Sequence, residues 1–482
     1  GFLTGHNKIR RVVMNLDNRE PTNDELEIMK NLASKAMDEG AFGISTGLKY
    51  LPGNFSKVDE VIAISKEISN KGGIYTSHLR DEGLKIIDAV KEAIQISKNA
   101  DINVVLTHHK VIGKPMWGKS AITLSLIDSA RQKGIKIMAD QYPYNASHTG
   151  INILIPTWAR AGGREEFKKR VSNKITKEKI KKEIEFNILN DRGGDDLNRV
   201  QFSRVAWKPE LEGKTLKDWA VMRGIEPSVK NGAELVIEAE LNGGASCIFH
   251  AMDESDVENI MKYPHTMIAS DGRLSEPGVG HPHPRAYGTF PRVLGRYVRE
   301  KKIISMSEAI YKMTDLIDDV LVLGKLTSGN VHYDPAEVDL SGFCEKLVQE
   351  FNLIQKDGRM LDFVTSGEAY KVQLDAKILS HAVTNLISNA FKYSVRKENP
   401  QLSLHFKPTE VVLSVKDYGM GIPQEEQLHL FEPFFRADNV TEIEGTGLGL
   451  SIAKEYVEVN KGQITATSIL GEGSCFEITF KR

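Results

Sequence analysis

The chain has 482 residues, enough for two to four domains that each bury a core. Its 63 basic and 65 acidic residues nearly cancel, which removes the electrostatic case for nucleic acid or an anionic membrane as main partner. Cys247, Cys344 and Cys475 lie far apart in no metal-knuckle spacing, and no apolar run approaches the ~20 residues that span a bilayer, so a soluble cytoplasmic protein is expected.

The opening Gly-Phe-Leu-Thr-Gly-His has neither the basic start nor the apolar core of a signal peptide, and no initiator Met, which suggests a piece of a longer chain. From residue 1 to about 314, short apolar runs alternate with amphipathic helical patterns. The runs are 41–46, 73–78, 102–108, 135–140 and 267–271, and they suit strands buried on both faces of a parallel sheet. Helical periodicity covers 23–39 and 84–98 between them. This rhythm predicts an α/β domain, barrel or doubly wound. The Lys/Glu-rich stretch 164–196 breaks it and reads as a helical insertion with a solvated face.

Near Met313 the pattern changes. Met313, Leu316, Ile317, Val320 and Leu323 form one helical stripe that stops near Ser328-Gly329-Asn330. That stripe suits either a core helix or a helix packed on a partner helix. From about 350 the pattern is α+β, with a helix over 374–393, strands over 402–406 and 411–416, a helix after a glycine loop, and strands over 463–468 and 476–480.

The glycine loop is Gly445-Thr446-Gly447-Leu448-Gly449-Leu450, directly before a helical pattern. Such a loop can offer backbone N–H groups and a positive helix end to phosphates. It is neither a Walker loop nor a dinucleotide fingerprint, and alone it is most simply a loop needing conformational freedom. Other motifs stand in order around it. Asn385-Leu-Ile-Ser-Asn389-Ala-Phe-Lys392-Tyr393-Ser394 resembles the asparagine box of histidine kinases. Asp417-Tyr-Gly419-Met-Gly421 resembles their first glycine box, Leu430-Phe-Glu-Pro-Phe-Phe435-Arg436 their phenylalanine box, and Gly471-Glu-Gly473-Ser-Cys-Phe476 their closing turn.

This resemblance implies a Bergerat-type α+β sandwich that binds ATP. It implies Asn389 on Mg²⁺ with Asn385 one helical turn back, Asp417 accepting from the adenine amino group, and Gly419 and Gly421 close to the base. Lys392 and Tyr393 fall where phosphate and adenine contacts are expected, Gly445, Thr446, Gly447, Leu448 and Gly449 at the phosphates, and 437–444 as the ATP lid. The helix from Asp315 resembles the second helix of a dimerisation hairpin. None of the thirteen histidines has the family's phosphoacceptor context, so a histidine on a separate chain and a response regulator are the implied partners. His381 is expected in the core.

In the first part, Thr76-Ser-His78, Thr107-His108-His109-Lys110 and Ser270-Asp271-Gly272 fall at predicted strand ends, where an α/β barrel gathers its active site. Histidines with an aspartate suit metal-assisted hydrolysis. The strings Gly5-His-Asn-Lys-Ile-Arg10, Ser77-His-Leu-Arg-Asp-Glu-Gly83, Ala139-Asp-Gln-Tyr-Pro-Tyr144 and His283-Pro-Arg-Ala-Tyr-Gly-Thr-Phe-Pro-Arg292 resemble N-acyl-D-amino-acid deacylases of the amidohydrolase superfamily. The resemblance implies His78 and His108 as zinc ligands, Asp271 as general base on the attacking water, and Lys110, Tyr142 and Arg285 on the substrate α-carboxylate. His109 is expected to be a neighbour of the site, not a ligand. The family's His-x-His pair and metal-binding cysteine are missing, so hydrolysis is expected to be absent or impaired.

The expected architecture is therefore multidomain: an incomplete TIM-type α/β barrel over 1–314, a hairpin helix and connector over 315–349, and an ATP-binding sandwich over 350–482. A protein-histidine kinase type of phosphotransferase is the first functional reading. Zinc-dependent deacylation is the second, and a fused reading frame with no physiological role the third.

Overall fold

The computed structural model describes residues 2–192, 194–276, 278–314, 333–355, 357–432, 435–440, 443 and 447–482. The chain divides into two compact units, Gly1–Asp318 and Asp319–Arg482. The helix expected from Asp315, and most of the Met313 stripe, lie outside the described residues.

The first unit is built on a sheet of six parallel strands: β1 (Thr4–Gly5), β2 (Gly43–Gly47), β3 (Ile74–His78), β4 (Val104–Leu106), β5 (Ile137–Gln141) and, later in the chain, β9 (Thr266–Ile268). They lie in that order. All three residues of β4 and of β9 are buried, as expected for strands covered on both faces. Helices His6–Met14, Asn23–Asp38, Val58–Ser69, Ile86–Ala100 and Ser120–Arg131 connect the strands. The second of these opens with a reciprocal capping box between Thr22 and Glu25, and buries Met29, Ala33 and Met37. The core between sheet and helices includes Ile64, Ile68, Val90, Ile96 and Leu106. The sheet is open: β1 pairs only with β2, and β9 only with β5, among the described residues. This is the α/β architecture that the alternating pattern predicts, and the incomplete barrel that the deacylase resemblance implies.

Between β5 and β9 the chain leaves the sheet. Strands β6 (Ser147–Gly150), β7 (Val200–Arg204) and β8 (Ser246–Phe249) form a small antiparallel sheet in the order β6-β8-β7. It shares a core with the helix Lys174–Asp191, which buries Ile180, Ile184 and Ile188 among Phe202, Trp219 and Phe249. The insertion over 164–196 is thus helical as expected, but it packs on a sheet that periodicity did not reveal.

The second unit has a five-stranded sheet ordered β11 (Asp362–Ser366), β13 (Gln401–Phe406), β14 (Glu410–Lys416), β16 (Gly473–Lys481), β15 (Gln463–Ile469). Strand β11 runs parallel to β13, and the other pairs are antiparallel. A short ladder joins β10 (Ala336–Val338) to β12 (Val372–Leu374). Alternation is clean in β14, where Val411, Leu413 and Val415 are buried. They meet Leu379, Val383 and Leu386 of the helix Ala376–Tyr393, and Ile452 and Val457 of the helix Gly449–Val459. The core also draws in Val338, Leu340 and Cys344. The result is an α+β sandwich.

Candidate functional sites

In the second unit, the helix Ala376–Tyr393 starts where Asp375 accepts hydrogen bonds from the N–H groups of Lys377 and Ile378. Asn385 and Asn389 follow one turn apart and both are half-buried. Asn385 donates through Nδ2 to the carbonyl of Gly449 at 3.3 Å, which ties the asparagine helix to the start of the next helix. Gly447 has φ +73°, Leu448 is fully buried, and no side chain caps the helix that begins at Gly449. Gly445 and Thr446 lie outside the described residues, as do 441, 442 and 444 of the expected lid. From the rest of that lid, Asn439 donates to the Gly421 carbonyl at 2.8 Å.

Asp417 directly follows β14 and is 5 % exposed. Its Oδ1 accepts from the Gly419 N–H at 2.8 Å, and burial pushes its carboxyl above the usual carboxylate range. A Cβ at Gly419 would lie 2.2 Å from the Tyr393 carbonyl oxygen, so the turn after Asp417 packs directly on the end of the asparagine helix. The Lys392 ammonium lies 5.2 Å from the Tyr393 ring centroid, and burial raises the Tyr393 hydroxyl. Asn385, Asn389, Lys392, Tyr393, Asp417, Gly419, Gly421, Gly447, Leu448 and Gly449 are thus carried on one helix, its tip, the facing turn and the next helix start. His381 departs from expectation. It is exposed on the asparagine helix, with its ring 5.8 Å from that of Tyr456.

Residues 374–482 match the family model of the histidine kinase-, DNA gyrase B- and HSP90-like ATPases. The second unit carries a histidine-kinase-type ATPase domain. The adaptive-response sensory kinase SasA of Crocosphaera subtropica is 35% identical to the chain over 170 residues, covering 35% of this chain and 44% of that kinase.

In the first unit, the site is assembled by strand ends. His78 closes β3, and His108 follows β4 with φ +44°. Strand β5 pins this backbone twice: Asp140 Oδ1 accepts from the His108 N–H at 2.7 Å, and the Asp140 carbonyl accepts from the His109 N–H at 2.7 Å. His78 Nδ1 and His108 Nε2 then stand 2.7 Å apart. Glu82, which no sequence motif singles out, joins them: His78, Glu82 and His108 each bring a ligand atom, all within 4.8 Å of one another. The signal available was the i, i+4 spacing of His78 and Glu82 on one short string.

Lys110 departs from the expected substrate grip. Its ammonium is buried and donates to Glu82 Oε1 at 2.5 Å, to His108 Nδ1 at 2.6 Å and to the His108 carbonyl at 2.7 Å, which engages all three N–H bonds. Burial works to raise the Glu82 carboxyl, but Lys110 and the two imidazoles outweigh it and hold it well below its usual range. Asp271, with φ +47°, follows β9 and pairs with Arg285 Nη1 at 2.6 Å. The Arg285 guanidinium lies 4.7 Å from the Tyr142 ring centroid, so Arg285, Tyr142 and Asp271 form one cluster. His109 lies beside the site, with Nε2 2.9 Å from Thr123 Oγ1 and burial lowering the ring to about 4.

These donors fit a zinc ion. Two imidazole nitrogens share one proton at 2.7 Å, a carboxylate stands beside them, and the buried His78 Nε2 has no hydrogen-bond partner. Two nitrogens and an oxygen form a donor set that zinc takes; because Lys110 donates to His108 Nδ1, the His108 proton sits on Nε2 toward His78, and a metal bound there would displace it.

This unit's relatives are deacylases. The N-terminal region matches the D-aminoacylase of Alcaligenes xylosoxydans xylosoxydans, 34% identical over 346 residues that cover 70% of this chain and 60% of that enzyme. The crystal structure of an N-acyl-D-glutamate deacylase from Bordetella bronchiseptica, complexed with zinc and a phosphonate inhibitor, is similar with a TM-score of 0.52 at 30% identity. That match covers 66% of this chain and 57% of that one. The chain therefore spans about six tenths of the length of the deacylases it matches.

Proposed function

We propose that the ATPase domain binds Mg-ATP and donates its γ-phosphoryl group to a histidine on a separate chain, in a two-component relay with a response regulator. The reading is supported above all by the pairing of Asn385 and Asn389, one turn apart, with the buried Asp417 turn packed against their helix. Asn389 supplies an amide oxygen for Mg²⁺, which prefers oxygen ligands alongside phosphates. Asp417 supplies a buried acceptor for the adenine amino group, while Gly447 to Gly449 supply backbone N–H groups at a helix start for the phosphates. Gly445 and Thr446 complete that loop in sequence. A fluorescent ATP analogue titrated in Mg²⁺ tests this: Asn389→Asp and Asp417→Ala are expected to weaken binding at least tenfold, which is about 1.4 kcal/mol. Unchanged affinity in both variants would refute the assignment.

The cluster of His78, Glu82 and His108 favours a second reading for the first unit, hydrolysis of N-acyl-D-amino acids. A bound zinc would supply Lewis-acid polarisation of the amide carbonyl and activation of water. Asp271 would take the proton of the attacking water, and Arg285 would hold the α-carboxylate through its planar fork. Lys110 would act through Glu82 and His108, and Tyr142 would support the Arg285 fork with its ring. Elemental analysis of the purified protein is expected to find zinc, with His108→Ala removing it and Asp271→Ala retaining it while abolishing D-amino acid release. Protein without zinc after growth in zinc-supplemented medium would end this reading.

A further inference from the structure

The last carbonyls of a helix have no partner within it and must be paired from outside where they are buried. At the end of the helix Ala376–Tyr393, two distant segments of the chain supply those partners. Arg359 Nη2 donates to the Phe391 carbonyl and Nη1 to the Ser394 carbonyl, both at 2.8 Å. The Met420 N–H, in the turn after Asp417, donates to the Tyr393 carbonyl at 3.3 Å. Ser394 Oγ donates back to the Ala390 carbonyl at 2.6 Å. The helix end that Arg359 grips is therefore the same one on which the Asp417 turn rests.

The Arg359 side chain is fully engaged in this grip. Nη1 also donates to Ser394 Oγ at 2.8 Å, while Nε and Nη2 donate to Asp357 Oδ2 at 2.8 and 2.6 Å, which uses all five N–H bonds. The guanidinium lies 5.1 Å from the Phe391 ring centroid. Its backbone neighbours are pinned, with the Met360 N–H donating to Asn399 Oδ1 at 3.1 Å and the Leu361 N–H to Asn352 Oδ1 at 2.7 Å. The side chain is only 11 % exposed, so solvent ions screen these bonds little. A cation here also faces the negative end of the helix dipole. Two carbonyls, a hydroxyl and a carboxylate at once require a planar fork, which a lysine does not provide.

We propose that Arg359 is a positioning residue for the nucleotide site of the second unit. Through the last helical turn it sets Lys392 and Tyr393. Through the Tyr393 carbonyl it sets the Asp417 turn that would meet the adenine. Arg359 lies between the helix Leu340–Ile354 and β11, outside every motif of that site. Its role rests on the ATP-binding reading.

Amide hydrogen exchange of the full chain without nucleotide tests the mechanical link. In Arg359→Met, which keeps an apolar stem, the Gly419 and Met420 amides are expected to exchange about tenfold faster relative to those of β14. An unchanged ratio would overturn the proposal, because a mere loss of stability moves both sets together. Titration with a fluorescent ATP analogue in Mg²⁺ is expected to show about tenfold weaker binding in the variant, the scale of lost charge-assisted bonds. Affinity equal to that of the native chain would also overturn it. Arg359→Lys keeps the charge but has three N–H bonds, and is expected to fall between the native chain and Arg359→Met in both measurements. Native values for Arg359→Lys in both would refute the role of the fork, and this variant decides alone if Arg359→Met does not fold. Failure of the native chain to bind the analogue would instead sink the ATP-binding reading, a result distinct from the exchange ratio of the variant.

Discussion

Glu60 shows how much a single residue carries in this chain. It sits inside the first unit, accepting from His6 Nε2 at 2.9 Å and paired with Arg10, whose side chain is itself buried. The Gly5-to-Arg10 string that carries part of the deacylase resemblance thus has a structural role, because it clamps the first helix to the helix Val58–Ser69. Removing one partner of such a pair leaves the others buried and uncompensated, so Glu60→Gln is expected to cost about 3–5 kcal/mol in the unfolding of this unit. Burial alone would raise the Glu60 carboxyl, but His6 and Arg10 outweigh it and hold it below its ordinary value. A carboxylate depressed in the folded state stabilises the fold above its unfolded value and loses that contribution as pH falls through the folded one. Denaturant unfolding between about pH 7 and pH 3 is therefore expected to show a steeper acid loss in the native protein than in Glu60→Gln. Parallel pH profiles would contradict this.

The glycine turns of the ATPase domain set the geometry at the scale of the element. Gly421 has φ +64°, and a Cβ there would sit 2.0 Å from the Ile469 carbonyl oxygen of β15. Gly473 has φ +119°, with a Cβ position 2.1 Å from the Asp417 carbonyl oxygen. Each glycine lets two backbone segments touch, and together they hold the Asp417 turn in place. Gly421→Ala is expected to cost at least ~1–3 kcal/mol in the unfolding of the second unit and to weaken nucleotide binding with it. Gly471→Ala, at φ +86° with open space around it, should cost less and leave binding intact. Equal effects of the two would show that close approach does not matter. The same scale explains what the sequence made legible. Buried parallel strands announce themselves as continuous apolar runs, and β14 by alternation, so both sheets' central strands were readable. Strand β11 is nearly all exposed and β6 reads Ser-His-Thr-Gly, so neither carries a periodic signal. Glu82 meets Lys110 across 28 residues, a contact made only when two strand ends come together. The groups expected at an ATP site needed no such contact to be proposed, because their motifs are local.

At the scale of the whole molecule, two units with their own cores predict two unfolding events. The second unit's core runs from Val338 to Phe480, while the first unit's clusters run from Ile9 to Ala309. A ligand that binds one folded unit stabilises it by RT ln(1 + [L]/Kd), about 2.7 kcal/mol at a hundredfold excess over Kd. For domains of this size class each kcal/mol moves the midpoint by about 2–4 °C, so saturating Mg-ATP is expected to raise one transition by roughly 5–10 °C. Asn389→Asp should remove that shift and leave the other transition where it was. Zinc should act on the complementary transition, since His78, Glu82 and His108 all belong to the first unit. Differential scanning calorimetry with each ligand in turn separates these effects. A single transition moved by both ligands would mean that the two units unfold as one cooperative body, and the ATP site could then not be treated as thermodynamically independent of the deacylase-like sheet.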